Sequence, residues 1–186
     1  MAIFPTTGVY KTHRGMFIGE THDERETMDV LIQKMRVLAT AVDVILLEYY
    51  PEGQTPHLKW AEQIAGELTA FNKGFGMPER IGKQVYRLWS MAYYFGVEVY
   101  GIEQPTPGGM NPGGPQYLTF RMSNELNQAF LDCVDHYATM KAKPSVRFCM
   151  YGGMVHWVKL RKLAPTMTGY RLNPAKNDFV ALPFSP

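Results

Sequence analysis

The chain has 186 residues, enough for one domain with a proper core, and 46% hydrophobic against 19% charged residues excludes a disordered composition. Nineteen basic and 17 acidic side chains leave a formal net charge of +2. With no basic run and no interleaved aromatic-basic platform, neither a nucleic-acid surface nor attraction to an anionic membrane is expected.

Two cysteines, Cys133 and Cys149, are too few for a disulfide scaffold, and both sit in apolar surroundings that suit buried free thiols. No window approaches the ~20 apolar residues of a membrane span. The N-terminal MAIFPTTGVYKTHRG lacks the apolar stretch of a signal peptide. A soluble protein without a signal peptide is expected, cytoplasmic or exported by a route that leaves no such segment.

In chain order, residues 16–19 read as a short buried strand. From Asp23 to Ala39 the period changes: Met28, Leu31, Ile32, Met35 and Leu38 recur at helical spacing, with Asp23 or Thr21 as the cap. DVILLEYYP is a continuous apolar run ended by Glu48 and Pro51, the pattern of a strand buried on both faces of a parallel sheet. Residues 57–72 and then Pro78 to Phe95 read as helices. VEVYGIE is a third strand ending at Glu103, followed by a Pro/Gly-rich loop from Pro105 to Pro115 that suits a lid over the sheet edge. A helix is expected from Tyr117 to about Met140. SVRFCMYGG is a fourth strand, MVHWVKLRKLA opens another helix, and TGYRLNP and DFVALPF read as two shorter strands.

Alternating strands and helices define an α/β fold, one domain with a mainly parallel, mixed sheet flanked by helices; residues 1–14 and 174–186 are peripheral to it. Right-handed crossovers bring the C-terminal ends of the strands to one edge, where such folds hold ligands. Glu20 and His22 follow the first strand, Glu48 ends the second, Glu103 ends the third, and Gly153-Met154-Val155-His156 follows the fourth. A lone strand-end Glu is often a helix cap; polar groups at four successive strand ends point to a site. Gly19-Glu20-Thr21-His22 and Gly153-Met154-Val155-His156 are the same Gly-x-x-His pattern. Each glycine permits a tight strand-to-helix turn, and each imidazole near a helix N-terminus is favoured as the neutral ring, a base or a metal ligand. His13 and His57 read as loop or helix-start residues, and His136 as solvated.

FIGETHD, a strand ending in Glu48, Arg121-Met122-Ser123-Asn124 opening a helix, and YGGMVHW together resemble the erythromycin esterase/ChaN-like superfamily, which includes the TIKI and TraB proteins. The resemblance runs from about Gly15 to Arg171. It is nearest to the toxin and effector branch that includes the Ras/Rap1-specific endopeptidase. It implies two Gly-x-x-His motifs, a Glu after the second strand and an Arg/Asn pair between them. Members hydrolyse esters and peptides, and one is a haem-binding lipoprotein. A compact chain without the extra helical segments of the erythromycin esterases argues against a macrolide substrate.

The expected function is therefore a hydrolase, a toxin- or effector-type enzyme acting on a peptide or ester bond of a host macromolecule. The alternative is a haem- or ligand-binding module in the same cleft. In the hydrolase reading His22 takes a proton from water, with Glu20 or Glu48 orienting it. His156 binds the oxyanion or protonates the leaving group. Arg121 neutralises a carboxylate or holds the acidic pair, with an ion pair to Glu48 as its structural role. Asn124 is expected one helical turn later on the same face. Tyr49, Glu103 and Trp157 flank the substrate. His22, Glu48 and His156 suit a divalent metal such as Mn, Zn or Co with an open position. The toxin-like relatives favour metal-free chemistry, so no cofactor is expected.

Overall fold

The computed structural model describes residues 15–20, 27–54, 79–108, 110, 114–143, 145–173 and 178–182. Along these the elements run β1 (Gly15–Glu20), α1 (Thr27–Gln33), α2 (Met35–Leu38), β2 (Val44–Pro51), α3 (Glu79–Tyr94), β3 (Glu98–Glu103), α4 (Pro115–Arg121), α5 (Asn124–Met140), β4 (Phe148–Gly153), α6 (Trp157–Leu163), β5 (Met167–Asn173) and β6 (Asp178–Ala181). A single 3₁₀ turn, Met154–His156, joins β4 to α6. The helix expected over 57–72, the caps Thr21 and Asp23, and residues 1–14 lie outside the described residues.

The described strands form one mixed sheet in the order β3-β2-β4-β1-β5-β6. All neighbours are parallel except the edge pair β5 and β6. The central strands are buried along their whole length, which is why their sequences are unbroken apolar runs rather than alternating ones.

Two apolar layers cover the two faces. Successive residues of a strand point to opposite faces. Ile45, Leu47, Cys149 and Tyr151 therefore join α1, α2 and α3 in one cluster, whereas Val44, Leu46, Phe148 and Met150 join α5 and α6 in the other. In α3 the buried residues Val85, Leu88, Trp89 and Ala92 keep helical spacing, and each large one contributes about 1.5–3 kcal/mol on burial. The described helices after β1 and β2 lie on the first face; those after β3 and β4 lie on the second. β4 sits between β1 and β2, so its C-terminal end is flanked by strands whose following described helices pack on the opposite face. Such a switch point opens a crevice at the sheet edge.

Two expected helices are each divided. Lys34 separates α1 from α2, although the stripe Met28, Leu31, Ile32, Met35 and Leu38 is buried through both. The helix expected from Tyr117 to Met140 breaks at Met122 and Ser123. Ser123 adopts extended angles (φ −70°, ψ 153°), and its Oγ accepts the Leu126 N–H at 3.1 Å. A serine that caps a new helix satisfies an otherwise orphaned donor and stops the preceding one.

Candidate active site

The second Gly-x-x-His motif builds the centre of the site. Gly152 lies beside β2, and a Cβ there would collide with the Glu48 carboxylate and fall 3.0 Å from its Cβ. Only glycine leaves room for that carboxylate to lie against the sheet. Gly153 then donates its N–H to Glu48 Oε2 at 2.6 Å. The 3₁₀ turn brings the chain round so that His156 Nε2 stands 3.2 Å from Glu48 Oε1. The motif is thus a clamp on a carboxylate from the neighbouring strand: a bare position, a backbone donor and an imidazole.

Arg121, the last residue of α4, enters the same cluster. Its guanidinium donates to Glu48 Oε1 and to both Glu103 oxygens, at 3.1 Å for Oε2. Its Nη2 is 3.4 Å from His156 Nε2. Tyr117 and Phe130 flank it, each ring centroid 5.9 Å away. Arg121, Glu48, Glu103 and His156 are all buried. One guanidinium facing two carboxylates leaves the group electrostatically unbalanced. Burial, opposed by Arg121 and reinforced by Glu48, pushes the Glu103 carboxyl up to about 7. The two carboxylates hold Arg121 protonated, well above its ordinary range, against the cost of its burial.

Asn127 was not among the residues singled out from the sequence, and it fixes the imidazole. It is fully buried. Its amide nitrogen donates to the carbonyls of Ser123, at 2.8 Å, and Arg121, at 3.2 Å. That orients Oδ1 toward His156 Nδ1 at 2.9 Å. An amide oxygen only accepts, so Nδ1 carries the proton and the lone pair of neutral His156 is on Nε2. In that tautomer Nε2 accepts from Arg121; once protonated it donates to Glu48. Phe130 packs against the ring, centroids 5.1 Å apart.

The remaining expected site residues fall differently. His22 lies outside the described residues. Glu20 is buried at the end of β1 and accepts from the Tyr151 hydroxyl, whose ring belongs to the cluster on the face opposite α5 and α6. Glu103 is in the cluster as an ion-pair partner. Tyr49 lies in β2 and its side chain is outside the described set. Asn124 does not share a face with Arg121. The break at Ser123 makes it the exposed first residue of α5, and the buried amide comes from Asn127, three residues on. Trp157 is a core residue: it stacks on Phe17 at 5.7 Å and fills the space a side chain at Gly169 would need. His136 is exposed, as expected. Cys133 and Cys149 are free and buried; burial pushes the Cys133 thiol up to about 12, with Glu52 beside it adding to the shift.

Among the described residues, no group of three or more His, Cys, Asp or Glu side chains is arranged to hold a metal ion, and no helix is long and apolar enough to cross a membrane.

No family model and no curated protein matches the chain. Two solved structures share its fold. One is described as the structure of the type III effector HopBA1, with a TM-score of 0.61 at 17% identity over 81% of this chain and 70% of that one. The other is described as a crystal structure of bacterial protein toxins, with a TM-score of 0.52 at 12% identity over 98% of this chain. The chain spans 39% of that toxin's length.

Proposed function

We propose that the chain is an effector- or toxin-type hydrolase of peptide or ester bonds, related to the erythromycin esterase/ChaN-like proteins that its Gly-x-x-His motifs resemble. The observation that carries this is the hydrogen-bonded row Asn127–His156–Glu48 at the switch point of the sheet. Asn127 holds the tautomer, the Nε2 lone pair is directed into the cluster, and Glu48 stabilises the imidazolium once a proton arrives. An orienting acceptor behind an imidazole is the arrangement that proton-transfer catalysis requires. The likeness in fold to an effector and a toxin supports the biological setting.

In this reading His22 keeps the part given to it from the sequence, taking the proton of the attacking water. His156, protonated at Nε2 beside Glu48, gives that proton to the leaving group, and the proton that His22 took from water restores it for the next turnover. Arg121 holds Glu48 in an ion pair beside His156 Nε2, where the carboxylate faces the imidazolium as its counter-charge. The guanidinium, ion-paired to Glu48 and 3.4 Å from Nε2, already supplies the positive charge that a divalent metal would bring, which favours metal-free chemistry.

The test is His156→Asn beside the unmodified chain. Each is expressed in host cells for growth arrest and assayed on pooled fluorogenic peptides and p-nitrophenyl esters. Loss of an acid-base group lowers the rate by about 10² to 10⁴, so growth arrest and turnover should both disappear in a protein that still melts cooperatively. A folded variant with undiminished toxicity and turnover overturns the assignment.

A further inference from the structure

The chain leaves β3 as Gln104-Pro105-Thr106-Pro107-Gly108, directly after Glu103 of the buried cluster. Prolines at 105 and 107 remove two backbone donors and hold the residues before them extended. In extended backbone, side chains two residues apart lie on the same side, about 6–7 Å from one another. Burial follows that period: Gln104 and Thr106 are half-buried, while Pro105 and Pro107 are exposed. The segment is tied to the cluster, because the Gln104 backbone N–H donates to the Glu103 carboxylate.

Both inward side chains end in an unsatisfied polar atom. Gln104 Nε2 and Thr106 Oγ1 are closed off from solvent and have no hydrogen-bond partner among the described residues. A buried donor without a partner is costly and uncommon. Two of them, on one side of one five-residue segment next to the cluster, mark a place where an acceptor-bearing ligand completes the structure.

We propose that Gln104 and Thr106 bind the main chain of an extended polypeptide substrate, each donating to a backbone carbonyl. Same-side carbonyls of an extended peptide repeat at the same 6–7 Å spacing as the two side chains. The two prolines leave the segment three backbone N–H groups, of which that of Gln104 already serves the Glu103 carboxylate, so the two inward side chains carry much of the recognition. Among the described residues Gln104–Gly108 makes no backbone–backbone hydrogen bond, so the segment shifts outward to admit the peptide without breaking a ladder. This deepens the hydrolase reading by naming its substrate class, and rests on that reading for the position of the reaction centre.

The experiment uses the full chain, Gln104→Leu and Thr106→Val, probed with an array of unstructured dodecapeptides and followed by cleavage of the peptides that bind. The unmodified chain should bind a subset. Each substitution should weaken that binding roughly 3- to 10-fold, the loss of one hydrogen bond. Both variants should melt at the same temperature or higher, because an unpaired buried polar group has been replaced by an apolar one of similar shape. Unchanged peptide binding in the variants, no peptide binding by the unmodified chain, or a lowered melting temperature each overturns the proposal. Peptides bound through Gln104 and Thr106 but never cut would refute the hydrolase reading alone; peptides cut equally by all three proteins would refute this one alone.

Discussion

Replacing Arg121 by Met keeps most of the side-chain length and removes the charge. The guanidinium is the partner of both Glu48 and Glu103, so its loss leaves two buried carboxylates facing each other. Removing one partner of a buried ion pair costs about 3–5 kcal/mol, which in a domain of this size lowers the melting temperature by roughly 6–20 °C. The structure further requires that the loss depend on pH. Glu103 is already raised from 4.5 to about 7 with Arg121 present; without the guanidinium, which lowers it, that carboxyl moves higher. A folded-state pKa above the unfolded value means that the folded chain binds more protons in that window. Stability then falls as pH rises through it. The defect should be largest at pH 8 and much smaller at pH 5, where the folded Glu103 carboxyl is protonated. Urea unfolding of both proteins at the two pH values measures this. An equal defect at pH 5 and pH 8 would show that Arg121 acts through its aliphatic stem, and the electrostatic account would fail.

Two other substitutions probe the same cluster. Glu103→Gln should flatten the decline in stability between pH 4.5 and about 7, the window set by the raised Glu103 carboxyl. That decline amounts to about 3 kcal/mol at 1.36 kcal/mol per unit, and a denaturation series across the window reads it directly. Gly152→Ala drives a methyl group into the Glu48 carboxylate. It should cost about 1–3 kcal/mol by overpacking, read as a lowered melting temperature, whereas a variant with unchanged stability would show that Glu48 is not pressed against the strand.

Much of this architecture is legible in the residues. The apolar runs before Glu20, Glu48, Glu103 and Gly153 became parallel strands because burial on both faces demands uninterrupted hydrophobicity, although β2 continues past Glu48 to Pro51 instead of ending there; parallel topology brings their polar residues to one side of the sheet. What escaped was local. Ser123 offered a capping hydroxyl inside the stretch from Tyr117 to Met140 that was expected as one helix, and two form there. That break moved the useful amide from Asn124 to Asn127. Trp157 follows a motif histidine in sequence, yet a helix that turns back onto the sheet sends adjacent side chains in different directions, and its indole went into the core. The residue count also hid a division between faces. Glu20 ends β1 and Glu48 lies within β2, on the two strands that flank β4, but Glu20 bonds Tyr151 of one layer while Glu48 bonds groups of the other.

The position of β4 governs the order in which the molecule can assemble. It is the fourth strand in sequence and lies between the first two in space. Until residues 148–153 have been made, β1 has no partner on that side, and the pair formed by β2 and β3 ends in an open strand edge. A growing chain therefore holds two separate pieces with unpaired backbone groups, a state prone to faulty pairing. Insertion of β4 joins them, and the same event delivers the Gly153 N–H and His156 to Glu48. Closure of the sheet and completion of the buried charge cluster are one step, so the charged groups are brought together only in a chain that has folded through to its last third.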